Sequence, residues 1–210
     1  MSYDQQNSGG SAVYRRAVSG VPEAFWELVR PFERIVFSTA LGVVRDPDRA
    51  QDVVHDTWVR AFSTLGNLRS PDKVGPWLHS MARNIAHETI RKAERMVRNL
   101  SQAPSPEIVS VPSLMMAKEE LQLLEVQLRE LPEPHRVVLS LKYMNNLSCL
   151  QIAELLGIGI EATKSRLFEA RRALRARMKA AETTAATNPA SQRRGEQRSQ
   201  AMPAKEGNAS

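Results

Sequence analysis

The sequence predicts an all-α protein built from two small helical domains that a flexible linker joins. Only 5% of the 210 residues are aromatic and 42% are hydrophobic, and stretches rich in Ala, Leu, Arg and Glu favour helices over sheets. Apolar residues recur every three or four positions in two separate regions. Between these regions, residues 98–116 contain several prolines among small polar residues, a composition typical of extended, weakly packed backbone.

The first domain is expected to span residues 21–97. A helix is predicted from Pro22 to Val44, because proline is accepted in a first helical turn. A second helix starts at Asp46-Pro47-Asp48, which supplies an N-cap, a first-position proline and an early carboxylate. Its apolar stripe is predicted to be buried and comprises Ala50, Val53, Val54, Trp58, Ala61, Phe62 and Leu65. After a loop at residues 67–75, a third helix is predicted from Pro76, with Trp77 in the core.

The second domain is expected to span residues 117–180. Two helices are predicted before Leu147, separated at Leu131-Pro132. Ser148 and Gln151 have the spacing of a capping box, and Gly157 suits a left-handed helix end. The next helix is predicted from Ile160 to Met178, which completes a helix-turn-helix. An ordinary helical hairpin with a solvated basic face is the alternative.

The composition restricts the function and location of the protein. The formal charge of +6 favours a polyanionic partner, nucleic acid before an anionic membrane surface. The single cysteine, Cys149, excludes an internal disulfide and points to a reducing compartment. We expect a cytoplasmic protein without membrane insertion, because no stretch approaches the roughly 20 apolar residues of a span. The terminal segments, residues 1–20 and 181–210, are expected to be disordered tails.

No constellation for catalysis stands out. The sequence offers no nucleophile with an adjacent base, no phosphate-binding glycine loop and no convincing set of metal ligands. Asp52, His55 and Asp56 share a helix face, but they lack a clear further ligand. We therefore expect neither an enzyme nor a bound cofactor or metal.

Two motif sets resemble one family. The segments Leu131–Leu139, Leu147–Ile158 and Lys164–Arg171 resemble region four of extracytoplasmic-function sigma factors of bacterial RNA polymerase. Ala50–Phe62, together with the segment from Trp77 to Arg91, resembles region two of the same family. The two sets stand in the family's order over residues 22–178, with the linker where the family has its own. A separate match in each domain is far more specific than a single helix-turn-helix.

The resemblance implies an alternative sigma factor that directs promoter-specific transcription initiation by recognising minus-ten and minus-thirty-five elements. The residues that match the core polymerase-binding face are Asp52, His55, Asp56 and Arg60. Those that match the side chains holding the opened minus-ten strand are Arg83, Asn84, His87 and Arg91. Those that match the minus-thirty-five reading helix are Lys164, Ser165, Phe168, Glu169, Arg171 and Arg172.

The implied partners are core RNA polymerase, promoter DNA and an anti-sigma factor. Three positions depart from the family pattern. His55 replaces a glutamine, Glu169 replaces a residue that is often cationic, and Glu161 replaces a small residue at the start of the reading helix. The alternative function is a helix-turn-helix repressor or activator that binds duplex DNA without being a polymerase subunit.

Overall fold

The computed structural model describes residues 7–99 and 117–187. Within these ranges the secondary structure is helical and contains no strand, which confirms the predicted all-α class. None of the helices in the described ranges is both long and apolar enough to cross a membrane. Three short 3₁₀ turns accompany the α-helices, which are α1 Asn7–Val18, α2 Pro22–Val29, α3 Glu33–Val44, α4 Pro47–Thr64, α5 Val74–Asn99, α6 Ala117–Arg129, α7 Glu133–Asn145, α8 Cys149–Leu156 and α9 Ile160–Thr187.

The amino-terminal segment differs from the prediction. Residues 1–20 were expected to form a disordered tail, yet α1 occupies most of them and packs on α2. Ala17 is buried, and the Tyr14 hydroxyl donates a hydrogen bond to the Leu68 carbonyl oxygen. A short apolar stripe therefore gains enough burial on the bundle to offset the entropy of ordering α1.

The predicted first helix, Pro22 to Val44, is also wrong as a single element. It is divided by a 3₁₀ turn, Arg30–Phe32, into α2 and α3. Pro31 lies in that turn, and a proline has no amide hydrogen and clashes with the preceding helical turn. The break therefore separates α2 from α3.

The core of the first bundle follows the predicted stripe of α4. Asp46 caps the helix by accepting from the Arg49 amide at 2.9 Å, and five of the seven stripe residues are buried: Ala50, Val53, Val54, Ala61 and Leu65. Trp58 is half-buried. Phe62 is 47% exposed, because it lies at the rim, where its ring meets Phe25 edge-on at 5.1 Å.

Helix α5 begins at Val74, two residues before the predicted start at Pro76. One 3₁₀ turn, Leu65–Asn67, leads into the expected loop, and a second, Pro71–Lys73, lies within it. Trp77 packs against the buried cluster of the first bundle, which confirms it as a core residue.

The chain divides into two compact units. The described part of the first comprises residues 7–99 and 131–171, and that of the second comprises residues 117–130 and 172–187. In the first unit, α7 packs on α3, and α8 packs on α5. In the second unit, Arg177 and Glu130 approach to 3.9 Å.

The last helix is longer than predicted. It continues to Thr187, although a disordered tail was expected from residue 181. Residues 180–187 contain four alanines and no glycine or proline, and the next proline along the chain is Pro189. Alanine has the highest intrinsic helix propensity, so the helix persists without an apolar face. The remaining tail, residues 188–210, and residues 100–116 of the expected linker lie outside the described residues.

Candidate functional site

A polar strip runs along the outer side of α4. Positions 52, 55, 56 and 60 fall on one side of the helix because they step by three and four. The opposite side is buried in the bundle. All four predicted polymerase-binding residues are exposed: Asp52, His55, Asp56 and Arg60. The strip is thus available to a partner.

A groove lies between this strip and α5. It encloses about 370 Å³ and is lined by Asp56, Val59, Arg60, Ser63, Ile85, Glu88, Thr89 and Lys92. Arg60 faces Glu88 across it, with Nη2 3.5 Å from Oε2. Val59 is 60% exposed, an apolar side chain between charged neighbours. Sequence reasoning missed the contribution of α5 here, because only the packing angle of the two helices brings these side chains together.

The predicted strand-binding residues lie along α5. Arg83, Asn84 and Arg91 are exposed and His87 is half-buried. Two of them share one partner: Arg83 Nε lies 3.0 Å and His87 Nε2 lies 3.4 Å from Glu133 Oε1. Glu133 is the first residue of α7. Sequence reasoning assigned no role to Glu133, since the contact depends on how α7 packs.

A buried histidine fixes α5 next to Arg83. His79 is 5% exposed, and its Nδ1 lies 3.0 Å from the Thr39 hydroxyl on α3. Burial, together with the positive charge of Arg83, lowers the pKa of His79 from 6.5 to about 4. His79 is therefore neutral near pH 7, and it acts as a hydrogen-bonding anchor between α5 and α3.

The helix-turn-helix has the predicted local structure. The Ser148 hydroxyl accepts from the Gln151 amide at 3.2 Å, and the Gln151 side chain accepts from the Ser148 amide at 2.9 Å. Gly157 has a φ of 66°, the left-handed conformation that glycine adopts without steric cost. The inner face is fully packed through Ile152, Ala153, Leu155, Thr163, Leu167 and Ala170. Ile160 is 39% exposed, because it lies in the open first turn of α9.

The outer face of α9 carries the predicted duplex-reading side chains. Lys164, Ser165, Phe168, Glu169 and Arg172 are exposed and Arg171 is half-buried. Arg172 is the first residue of the carboxy-terminal segment of the second compact unit. Phe168 is 64% exposed, so its ring is accessible on this face.

Two of the cations on this face, Lys164 and Arg171, interact with other side chains of the chain. Lys164 Nζ lies 2.7 Å from Glu161 Oε1, and the hydrogen bond and negative charge of Glu161 raise the pKa of Lys164. Arg171 Nε donates to the Tyr143 hydroxyl at 2.9 Å, and its guanidinium lies 5.8 Å from the centre of that ring. Tyr143 therefore orients Arg171, a contact that the sequence did not predict.

Metal ligation finds no support in the part of the chain that the structure describes. No three His, Cys, Asp or Glu side chains come together there as a site for an ion. Cys149 is a free, half-buried thiol.

Known protein families match both regions. The Sigma-70 region 2 model matches residues 28–96 and the Sigma-70 region 4 model matches residues 121–174. The chain is 33% identical over 167 residues to the ECF RNA polymerase sigma factor SigL of Mycobacterium tuberculosis and covers 93% of it, with 75% of this chain aligned.

Two further proteins are similar to this chain. One is the probable RNA polymerase sigma factor RfaY of Xanthomonas campestris, 28% identical over 166 residues, which cover 76% of this chain and 41% of that protein. The other is the sigma factor RpoE of Bartonella quintana, solved with the anti-sigma factor NepR. It shares the fold at a TM-score of 0.56 and 22% identity, over 74% of this chain and 96% of that one. The chain therefore belongs to the extracytoplasmic-function family of RNA polymerase sigma factors.

Proposed function

We propose that this sigma factor directs transcription through three surfaces. The strip on α4 binds core RNA polymerase, the outer side of α5 holds the opened minus-ten strand, and α9 reads duplex DNA at the minus-thirty-five element. The observation that carries the proposal is the helix-turn-helix itself: its inner face is packed, while α9 presents an exposed face of cations, a hydroxyl and Phe168.

The polymerase surface combines charge with an apolar contact. Asp52 and Asp56 supply carboxylates, and Val59 in the adjoining groove is 60% exposed. Interfaces of this kind place an apolar side chain at the centre and charged groups at the rim, where the charges set orientation and association rate. The groove adds Glu88 and Lys92 of α5, so α5 is proposed to carry polymerase contacts on one side and DNA contacts on another.

The minus-ten surface suits a single strand. Cations spaced along α5 follow a phosphate backbone, and Asn84 between them offers both a donor and an acceptor to an unstacked base. Unstacking a base costs a few kcal/mol, which the contacts in the site must offset.

The minus-thirty-five surface suits a major groove. In a helix-turn-helix the second helix enters the groove with its early residues at base edges and later cations near phosphates. Lys164, Ser165 and Phe168 are proposed as base-side residues, and Arg171 and Arg172 as phosphate contacts. Glu169 is proposed to accept from a cytosine amino group.

The proposal extends to partners and organisation. The Bartonella relative was solved with an anti-sigma factor, and we propose an anti-sigma partner for this chain as well. The proposed functional domains are residues 21–97 and 117–180, with residues 98–116 as the linker. The chain itself is proposed to supply no catalytic chemistry and to bind no cofactor, and it works in the cytoplasm beside the polymerase.

In the decisive experiment, the purified chain is mixed with core polymerase and a promoter library, and the transcripts are sequenced. We expect transcripts whose upstream DNA shares a minus-ten and a minus-thirty-five element. Asp56→Asn should weaken assembly with core polymerase. Asp72→Asn, a change at an exposed aspartate in a 3₁₀ turn, should leave assembly unchanged. Specific footprints without polymerase, together with an absence of transcripts, would instead identify a repressor.

A further inference from the structure

Helix α7 of the second family region lies against α3 of the first at very close range. A Cβ atom added to Gly42 would come within 2.9 Å of Val137 Cγ2 and 3.1 Å of Val137 Cα. Real Cβ atoms essentially never show a contact as short as 2.9 Å, so any side chain at position 42 would require α7 to shift. Val138 and Leu141 of α7 are fully buried.

A buried arginine locks the same contact. Arg136 is 5% exposed. Its Nε donates to the Gly42 carbonyl at 2.8 Å and its Nη2 to the Val43 carbonyl at 3.4 Å, and it also donates to the Leu131 carbonyl. Gly42 and Val43 lie in the last turn of α3, where carbonyls lack helical partners and the helix dipole is negative. Arg136 therefore serves as a C-terminal cap supplied by α7.

The far end of α7 is held as well. Asn145 Nδ2 donates to Ser38 Oγ at 2.7 Å, and Arg34 Nη2 donates to the Met144 carbonyl at 2.5 Å. With Arg136 near its start and Asn145 at its end, α7 is fixed in register along α3.

This docking places Glu133 on the proposed minus-ten surface. Its carboxylate lies between Arg83 and His87, at 3.0 and 3.4 Å. A DNA phosphate would present the same charge and the same kind of oxygen acceptor to these two side chains. The reading face of α9 is unaffected, since Lys164, Ser165 and Phe168 remain exposed.

We propose that docked α7 competes with the minus-ten strand within the same chain. Glu133 occupies the phosphate position between Arg83 and His87, and the Gly42–Val137 contact with the Arg136 cap holds it there. The free chain is masked at its minus-ten surface and open at its minus-thirty-five surface, and release of α7 unmasks it. This inference rests on the proposed function of Arg83 and His87.

Two independent changes test the competition. Glu133→Gln removes the carboxylate charge and leaves the packing in place, and Glu154→Gln on the exposed side of α8 is its charge-matched control. Gly42→Leu wedges α7 away from α3 without weakening the helix, since leucine is the better helix former. Gly66→Leu is its control, because nothing lies within 4 Å of a Cβ there.

The full-length chain, without polymerase, is titrated with a labelled single strand that carries the minus-ten element selected by the transcription experiment. It is titrated separately with a minus-thirty-five duplex. Both test variants should bind the single strand about fivefold more tightly than their controls, a size expected for freeing the partly exposed Arg83 guanidinium from one carboxylate. Duplex affinity should match that of the controls, and Gly42→Leu should increase the radius of gyration in X-ray scattering.

Equal single-strand binding by Glu133→Gln and Glu154→Gln, including no binding by either, overturns the competition even if Gly42→Leu fails to fold. Promoter-specific transcripts from the same preparations would then leave the proposed function intact. An absence of transcripts with core polymerase would overturn the proposed function instead.

Discussion

The buried anchor His79 predicts a specific loss of stability in mild acid. Its pKa is lowered to about 4 in the folded chain, against 6.5 as the ordinary value. The folded state therefore resists protonation that the unfolded state accepts, so stability is retained above pH 6.5 and falls between 6.5 and about 4. At pH 5 this difference in pKa lowers the ratio of folded to unfolded chain about 30-fold, a loss of ~2 kcal/mol in the free energy of unfolding.

The test is urea denaturation followed by circular dichroism at pH 7.5 and pH 5. His79→Asn keeps a hydrogen-bonding atom near Thr39 and removes the titrating group. Between pH 7.5 and pH 5 the free energy of unfolding of this variant should therefore fall by ~2 kcal/mol less than that of the wild type. His55→Asn, a change at an exposed histidine, should behave as the wild type. An equal pH dependence in His79→Asn and the wild type would refute the reasoning.

Three further changes probe contacts of the helix-turn-helix and its docking. Ser148→Ala removes the cap of α8 and should lower the free energy of unfolding by about 1 kcal/mol in urea denaturation. Arg136→Met removes the buried hydrogen bonds to the last carbonyls of α3. It should lower the free energy of unfolding by ~3 kcal/mol in the same measurement, because carbonyls such as that of Gly42 lose their partner. Tyr143→Phe releases Arg171 and should weaken minus-thirty-five duplex binding about threefold in an anisotropy titration, as expected for one hydrogen bond. If the free energy of unfolding or the duplex affinity of a variant equals that of the wild type, the contact removed in that variant does not contribute to stability or binding.

The sequence predicted helix caps and helix ends correctly where a few neighbouring residues determine the local structure. The Asp46 cap, the Ser148 capping box and the Gly157 helix end each depend on side chains within three or four positions. The prediction of one continuous first helix is wrong at Pro31, although a proline inside a helical pattern is itself a sequence signal for a break.

Other predictions were wrong because the burial of a side chain depends on which other helices pack against it. Helix α1 packs on α2, and the local sequence pattern of residues 1–20 does not predict this contact. Phe62 shares the apolar period of α4 but lies at the rim of the bundle, because a helix stripe can be wider than the surface that covers it.

The sequence by itself determined the helical class and the outward faces of α4, α5 and α9, because a period of 3.6 residues separates buried from exposed positions within each helix. The family came from the resemblance of two motif sets, which are also properties of the sequence alone. Only the tertiary structure decided that Glu133 lies between Arg83 and His87, or that Gly42 admits Val137. Glu133 is at least 46 positions from each of its two partners, and Val137 is 95 positions from Gly42. These contacts depend on how whole helices pack, which is the sum of many small interactions and cannot be read from a local motif.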